Sequence, residues 1–365
     1  MSKNGWFGIA ALSLSSMAFA QSSPVTLYGV IDIGIDYTNH VDTAGNHLFS
    51  MAPSNIAGSR WGMRGAEDLG GGVQAIFTLE SGFTPDTGVS AQGGRLFGRK
   101  AIVGLKDARL GQLTLGRQTN TLFDFSLDYD PMAIATRYGL TVQDSWFSAR
   151  ADNSVKYDAR FGPVGVKAFY SFGYDGKTAG AAEVPGNSKV GREMAASLDY
   201  SNGPLRVGGA YDIVYGTSVA TQSDREQRAA VAAIYDFTKV KAYVGYRWYD
   251  GRFSGQATRS DLWWAGISVP VTPALTLTGA AYYQDFKGTN ADPLALVLNA
   301  DYSLSKRTFL YSSVGYTVNR NGSSLGVIGL SSGTLPNGNT LDAGSTQVTP
   351  GRNQFGGVVG IRHTF

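Results

Sequence analysis

The sequence predicts an all-β fold, a transmembrane antiparallel β-barrel of about 16 strands, and three observations predict it. Apolar and polar residues alternate through almost the whole chain. Aromatic residues gather at the ends of the alternating segments. Short turns and long polar loops take turns in joining those segments.

Composition supports the first observation. Glycine is 48 of 365 residues, about 13% against a usual 7% or so. Tyr, Phe and Trp reach 12%, yet mean hydropathy is only −0.11. A helical membrane protein needs runs of about 18 or more apolar residues, and none follows the N-terminus. A closed barrel is the other structure whose backbone is fully hydrogen-bonded in lipid, and it needs only every second residue to be apolar. The net charge of +3 is too small and too dispersed for nucleic-acid binding. With no cysteine there is no disulfide framework and no thiolate zinc site. Neither a metal nor any other cofactor is expected.

Residues 1–20 read as a secretory signal. Lys3 gives the positive start, a short apolar stretch follows, and Ala18 and Ala20 put small residues before a cut after Ala20. The barrel domain is then 21–365. Loss of Lys3 lowers the net charge from +3 to +2.

From Leu27 to Tyr37 every odd position but Gly29 is apolar, while Asp32, Gly34 and Asp36 share the even row. Such a strand has one face in oil and one in water. Val73, Ala75, Phe77 and Leu79 repeat the pattern, as do Val240 through Trp248 and Leu275 through Tyr283. Tyr37, Tyr174, Tyr200, Tyr215, Tyr235, Phe237, Trp248, Tyr283 and Phe286 stand near segment ends, where girdles at the two membrane interfaces require them. Strands are expected near 25–38, 58–67, 72–83, 97–107, 110–118, 153–161, 163–174 and 192–202. Further strands are expected near 204–215, 226–237, 239–250, 260–271, 274–286, 294–304, 307–319 and 354–365. Glu67–Gly71, Phe161–Pro163, Ser201–Pro204, Val271–Pro273 and Leu304–Lys306 are the short turns, and 175–191, 216–225 and 320–353 the long loops. Barrels of about 16 strands hold an aqueous channel, where smaller ones fill with side chains. The polar row should line that channel.

Several stretches of sequence then become specific. Ser23–Asp32, Ser59–Gly70, Leu113–Gln118, Tyr302–Thr308 and the closing Val359–Phe365 resemble the trimeric general porins of Gram-negative bacteria, in their betaproteobacterial branch. The likeness covers the mature chain. It implies passive diffusion of small hydrophilic solutes and ions, with a modest preference for anions, through a homotrimer in the cell outer membrane. Lipid bilayer and lipopolysaccharide are then the surroundings, and no nucleic acid is a partner. It also implies a third loop folded inward, which 118–152 fits, carrying Asp124, Asp128 and Asp130 opposite wall arginines. Matched by motif, those arginines are Arg60, Arg99 and Arg150. Parity would place Arg99 in the row of Ala101, Val103 and Leu105. An arginine in mid-membrane lipid costs about 2–4 kcal/mol, so the lumen is preferred. Which aspartate points at the pore stays open. The terminal Phe365, with Val359 and Ile361 in its row, resembles the signal read by the barrel-assembly machinery.

The alternatives are an outer-membrane barrel enzyme and an adhesin. Gly322–Gly326 has the spacing of a nucleophile elbow but lies in a Gly/Ser-rich loop without a following helix. Ser303–Lys306 has a Ser-x-x-Lys spacing and reads as a turn, as does Gly70–Gly72. The three histidines, His40, His47 and His363, form no serine–histidine pair with these segments. Asp32, Glu80, Asp124 and Asp128 read as lumen lining rather than acid–base pairs. An adhesin would need a plug or passenger domain, and none is evident.

Overall fold

The computed structural model describes residues 25–176, 182–253, 256–330 and 348–365. Residues 1–20, expected to be a secretory signal, lie outside the described residues. Strands run β1 (Thr26–Thr38), β2 (Leu48–Pro53), β3 (Arg60–Gly70), β4 (Val73–Gly82), β5 (Lys100–Asp107), β6 (Gly111–Thr119), β7 (Arg150–Phe161), β8 (Val164–Ser171) and β9 (Glu193–Asn202). They continue as β10 (Leu205–Tyr215), β11 (Arg225–Asp236), β12 (Lys241–Phe253), β13 (Gln256–Pro270), β14 (Leu275–Phe286), β15 (Leu294–Ser303) and β16 (Thr308–Val318). A small hairpin, β17 (Leu325–Gly326) with β18 (Gly329–Leu330), precedes β19 (Gln354–Thr364).

Each strand pairs antiparallel with its neighbour, and β1 pairs with β19 to close the ring. The sheet counts 17 strands, but β2 and β3 both pair with β1 and form one stave, which leaves 16 staves. The break at 54–59 was not expected from the alternation. Asp32 causes it by accepting the backbone N–H of Ile56 at 2.8 Å and of Ala57 at 2.7 Å, while Tyr311 donates its hydroxyl at 2.6 Å. Asp32 is therefore a buried tie in the wall rather than a water-lining carboxylate.

Parity separates the two faces as the alternation requires. In β1, Leu27, Ile31 and Ile35 are exposed on the outside and Asp32, Gly34 and Asp36 are buried inside. Tyr200, Tyr235, Phe237 and Tyr283 are exposed near strand ends. Tyr174 departs from the girdle: it is buried, edge-on to Trp146 at 5.6 Å. The turns after β3, β7 and β9 bend at Gly70–Gly72, Gly162 and Gly203, all with positive φ. Ser305–Arg307 likewise forms a turn, its Ser305 hydroxyl accepting the N–H of Arg307 and of Thr308.

The terminal residue does more in the ladder than the sequence suggests. Phe365 and Gly29 exchange two backbone hydrogen bonds of 3.1 Å, and the Phe365 ring lies where a Gly29 side chain would stand. His363 faces outward beside Thr308, His40 meets the Asn353 carbonyl and His47 packs near Tyr37.

The inner wall is only partly polar. Ala210, Ala232, Ile234, Leu262, Trp264 and Val297 are inward and buried, in one cluster with residues 122–147. A chain segment inside the barrel covers this half of the wall.

Candidate channel constriction

That segment connects β6 to β7. It opens with a nine-residue helix, Thr121–Tyr129, capped by Asn120, whose side chain accepts the N–H of Phe123 at 2.8 Å. Asn120 in turn donates to Glu193 on β9 at 2.8 Å. The helix packs on β8 to β12, with Leu122, Phe125 and Tyr129 buried. Trp264 donates its indole N–H to the Tyr129 carbonyl at 3.1 Å. At Gly208 a side chain would come within 2.6 Å of the Tyr129 ring, so glycine is what allows the helix against the wall.

Beyond the helix the chain crosses to the far side. Asp130 is 3% exposed, and its carboxylate accepts the Tyr282 hydroxyl at 2.6 Å and the N–H groups of Met132, Ile134 and Leu140 at 2.9–3.1 Å. Burial raises its pKa, and these four donors work against that rise. Tyr138 reaches Asp36 on β1 at 3.1 Å, beside Arg137, which pairs with Asp36 at 3.2 Å. The return leg holds Asp144 between Arg228 at 3.0 Å and Arg247 at 3.4 Å. Burial opposes ionisation there, but these two guanidinium charges hold the Asp144 carboxyl below its usual range.

The wall arginines meet a carboxylate that is itself on the wall. Glu80 on β4 accepts Arg99 Nε at 2.8 Å and the Tyr28 hydroxyl at 3.0 Å, with Arg60 Nε at 3.5 Å. Arg99 faces inward although Val103 and Leu105 face lipid, because it precedes β5 and strand parity does not bind it. Arg150, at the start of β7, lies 5.0 Å over the Phe123 ring and donates to the Ser148 carbonyl at 3.3 Å. It is within electrostatic range of Arg60, Arg99 and Arg117. Arg60, Arg99 and Arg150 therefore share one region.

Two cations here escaped the sequence reading. Arg117 and Arg95 both bind Asp152, at 2.8 and 2.7 Å, and Arg95 also reaches Asp175 at 2.9 Å. Arg117 lies within an irregularity between Gly116 and Gln118 that breaks the alternation, and Arg95 is in a loop, so period-two reasoning passes over both. The loop aspartates do not oppose the three arginines. Asp124 pairs with Lys156 and, at 3.5 Å, with Lys167; Asp128 pairs with Arg206 at 3.3 Å; Asp130 is the buried anchor.

A closed barrel of 16 staves with an internal loop and a charged wall is the architecture of a diffusion channel. Residues 8–322 match the family model described as Gram-negative porin. The chain belongs to the Gram-negative porin family. This porin is 33% identical over 364 residues to an outer membrane porin protein of Bordetella pertussis, covering 85% of this chain and 94% of that one. To outer membrane porin protein 32 of Delftia acidovorans it is 30% identical over 380 residues, covering all of both chains. In structure it is similar to the anion-selective porin from Comamonas acidovorans, with a TM-score of 0.79, 26% identity and coverage of 94% of this chain and 100% of that one. The betaproteobacterial branch suggested by the motifs fits these relatives, and the barrel is a multi-pass protein of the outer membrane.

Proposed function

We propose that this porin passes small hydrophilic solutes and ions by passive diffusion with a modest preference for anions. The supporting observation is local charge. Arg60, Arg99 and Arg150 stand together with Glu80 as the carboxylate among them, while Lys156, Lys167 and Arg206 engage Asp124 and Asp128. At an effective dielectric near 20, a unit charge about 4 Å from an ion contributes roughly 4 kcal/mol before screening. Physiological salt limits its range to about 8 Å, so charges at the narrowest point dominate over the net charge of the chain. The similarity to a porin described as anion-selective agrees with this reading. The channel works as a homotrimer in a bilayer whose outer leaflet carries lipopolysaccharide, without catalysis, and Phe365 serves barrel assembly; these points rest on the family resemblance. Replacing Arg60, Arg99 and Arg150 together with Gln should move the zero-current potential in a KCl gradient toward cation preference. An unchanged potential refutes their control of the pore.

A further inference from the structure

Two arginines on the outer face stand directly opposite each other. Arg225, the first residue of β11, is in register with Arg252 near the end of β12, and both are exposed. Arg225 shares the row of Gln227, Ala229 and the exposed Val231, whereas Glu226, Arg228 and Ala230 form the buried row. Arg252 shares the row of Trp248, Tyr246 and the exposed Val244. Both side chains therefore belong to the lipid-facing side, at the end of the barrel where the long loops lie. Directly opposed residues have Cβ atoms about 5 Å apart, and like charges so placed repel.

The nearby carboxylates are committed elsewhere. Asp250 is held by Arg259 at 2.8 Å, and Asp261 by Lys287 at 2.8 Å and the Tyr246 hydroxyl at 2.7 Å. Among the described residues neither Arg225 nor Arg252 forms an ion pair. Just below them lies an aromatic band: Tyr211, which donates to Gln227 at 2.7 Å, then Trp248, and Tyr246 tilted against Trp263 with ring centres 4.3 Å apart. Trp248 is four residues from Arg252, about 13 Å along the strand, and aromatic bands mark the membrane interface. The arginine pair thus stands at the level of the outer-leaflet headgroups.

We propose that Arg225 and Arg252 together bind a phosphate on a lipid headgroup of the outer leaflet. Two guanidinium forks carried by directly opposed residues suit a tetrahedral anion with several acceptor oxygens, which also offsets their mutual repulsion. The proposal rests on the outer-membrane reading and is independent of the pore's selectivity.

The test uses the full refolded porin in dodecyl maltoside, with bound lipid counted by native mass spectrometry. The probes are diphosphoryl lipid A, fully dephosphorylated lipid A and inorganic phosphate. Wild type and the control Arg109→Gln, in a periplasmic turn, should retain diphosphoryl lipid A. Arg225→Gln/Arg252→Gln should bind it at least about tenfold more weakly, since it loses the bidentate contacts. The dephosphorylated lipid should bind all variants weakly, and equimolar phosphate should leave the lipid in place. Equal retention by the double variant, or equal binding of the dephosphorylated lipid, overturns the proposal. Displacement by equimolar phosphate overturns its lipid source. Heat-modifiable mobility verifies folding, and Arg252→Gln alone carries the same outcomes if the double variant does not refold. The zero-current potential of the double variant should match wild type; a shift there would bear on the pore instead.

Discussion

Placing an arginine at Leu298 should destabilise the barrel far more than placing one at Thr276. Leu298 is 64% exposed on the outer face and is the fifth residue of the ten in β15. About five residues on either side, at about 3.4 Å each and a tilt near 40°, put it roughly 12 Å from each end of the strand. That is half of an apolar band about 25 Å tall, beyond the roughly 7 Å reach of an arginine side chain, so the guanidinium stays in lipid. The expected cost is about 2–4 kcal/mol, or about 30- to 800-fold in the folding equilibrium. Leu277, also outward, is the third residue of β14 and closer to the turn, so an arginine there should cost less. Thr276 is in the inward row and in register with Asp301, where an added guanidinium is hydrated and near a carboxylate. The assay is urea titration of barrels refolded into vesicles, read by heat-modifiable mobility. Equal midpoints for Leu298→Arg and Thr276→Arg would show that the strand phase is wrong.

Phe365→Ala should refold in detergent, since the two backbone bonds to Gly29 remain, yet reach the outer membrane in reduced amount; normal abundance in membrane fractions excludes an assembly role. Asp130→Ala strands the Tyr282 hydroxyl and three backbone N–H groups, a loss of about 3 kcal/mol or more that should free the internal loop. Noisier single-channel current with altered conductance is the expected readout, and wild-type traces would refute the anchor. The Asp144 carboxyl is depressed, so its contribution is complete above the unfolded pKa of about 3.8 and fades as pH falls through the lower folded value. Loop noise should accordingly stay flat from neutral pH down to the ordinary carboxylate range and rise below it, a dependence that Asp144→Asn should abolish.

What the sequence determined by itself was the barrel and its phase. Alternation is a local property, because side chains two residues apart share a face whatever the strand later packs against. Leu277 could therefore be assigned to lipid, and 16 staves located, before any contact was known, whereas the phase of Val103 was decided only by Arg99 lying ahead of β5. Arg60, Arg99 and Arg150 came from the resemblance to the porin motifs rather than from alternation, and neither pointed to Arg95 and Arg117, which sit in a loop and within an irregularity. The sequence placed Asp32, Asp124 and Asp128 on the lumen lining, and the resemblance set Asp124, Asp128 and Asp130 opposite the wall arginines without distinguishing among them. Only the tertiary structure separated them. Asp32 ties the broken second stave, Asp130 anchors the internal loop to Tyr282, and Asp124 and Asp128 find basic partners on the wall. The loop's helix buries Leu122 and Phe125 on an apolar stretch of inner wall that alternation alone marks as lumen. A charge's role depends on which donors reach it, and those donors lie from two to more than 270 residues away in the chain.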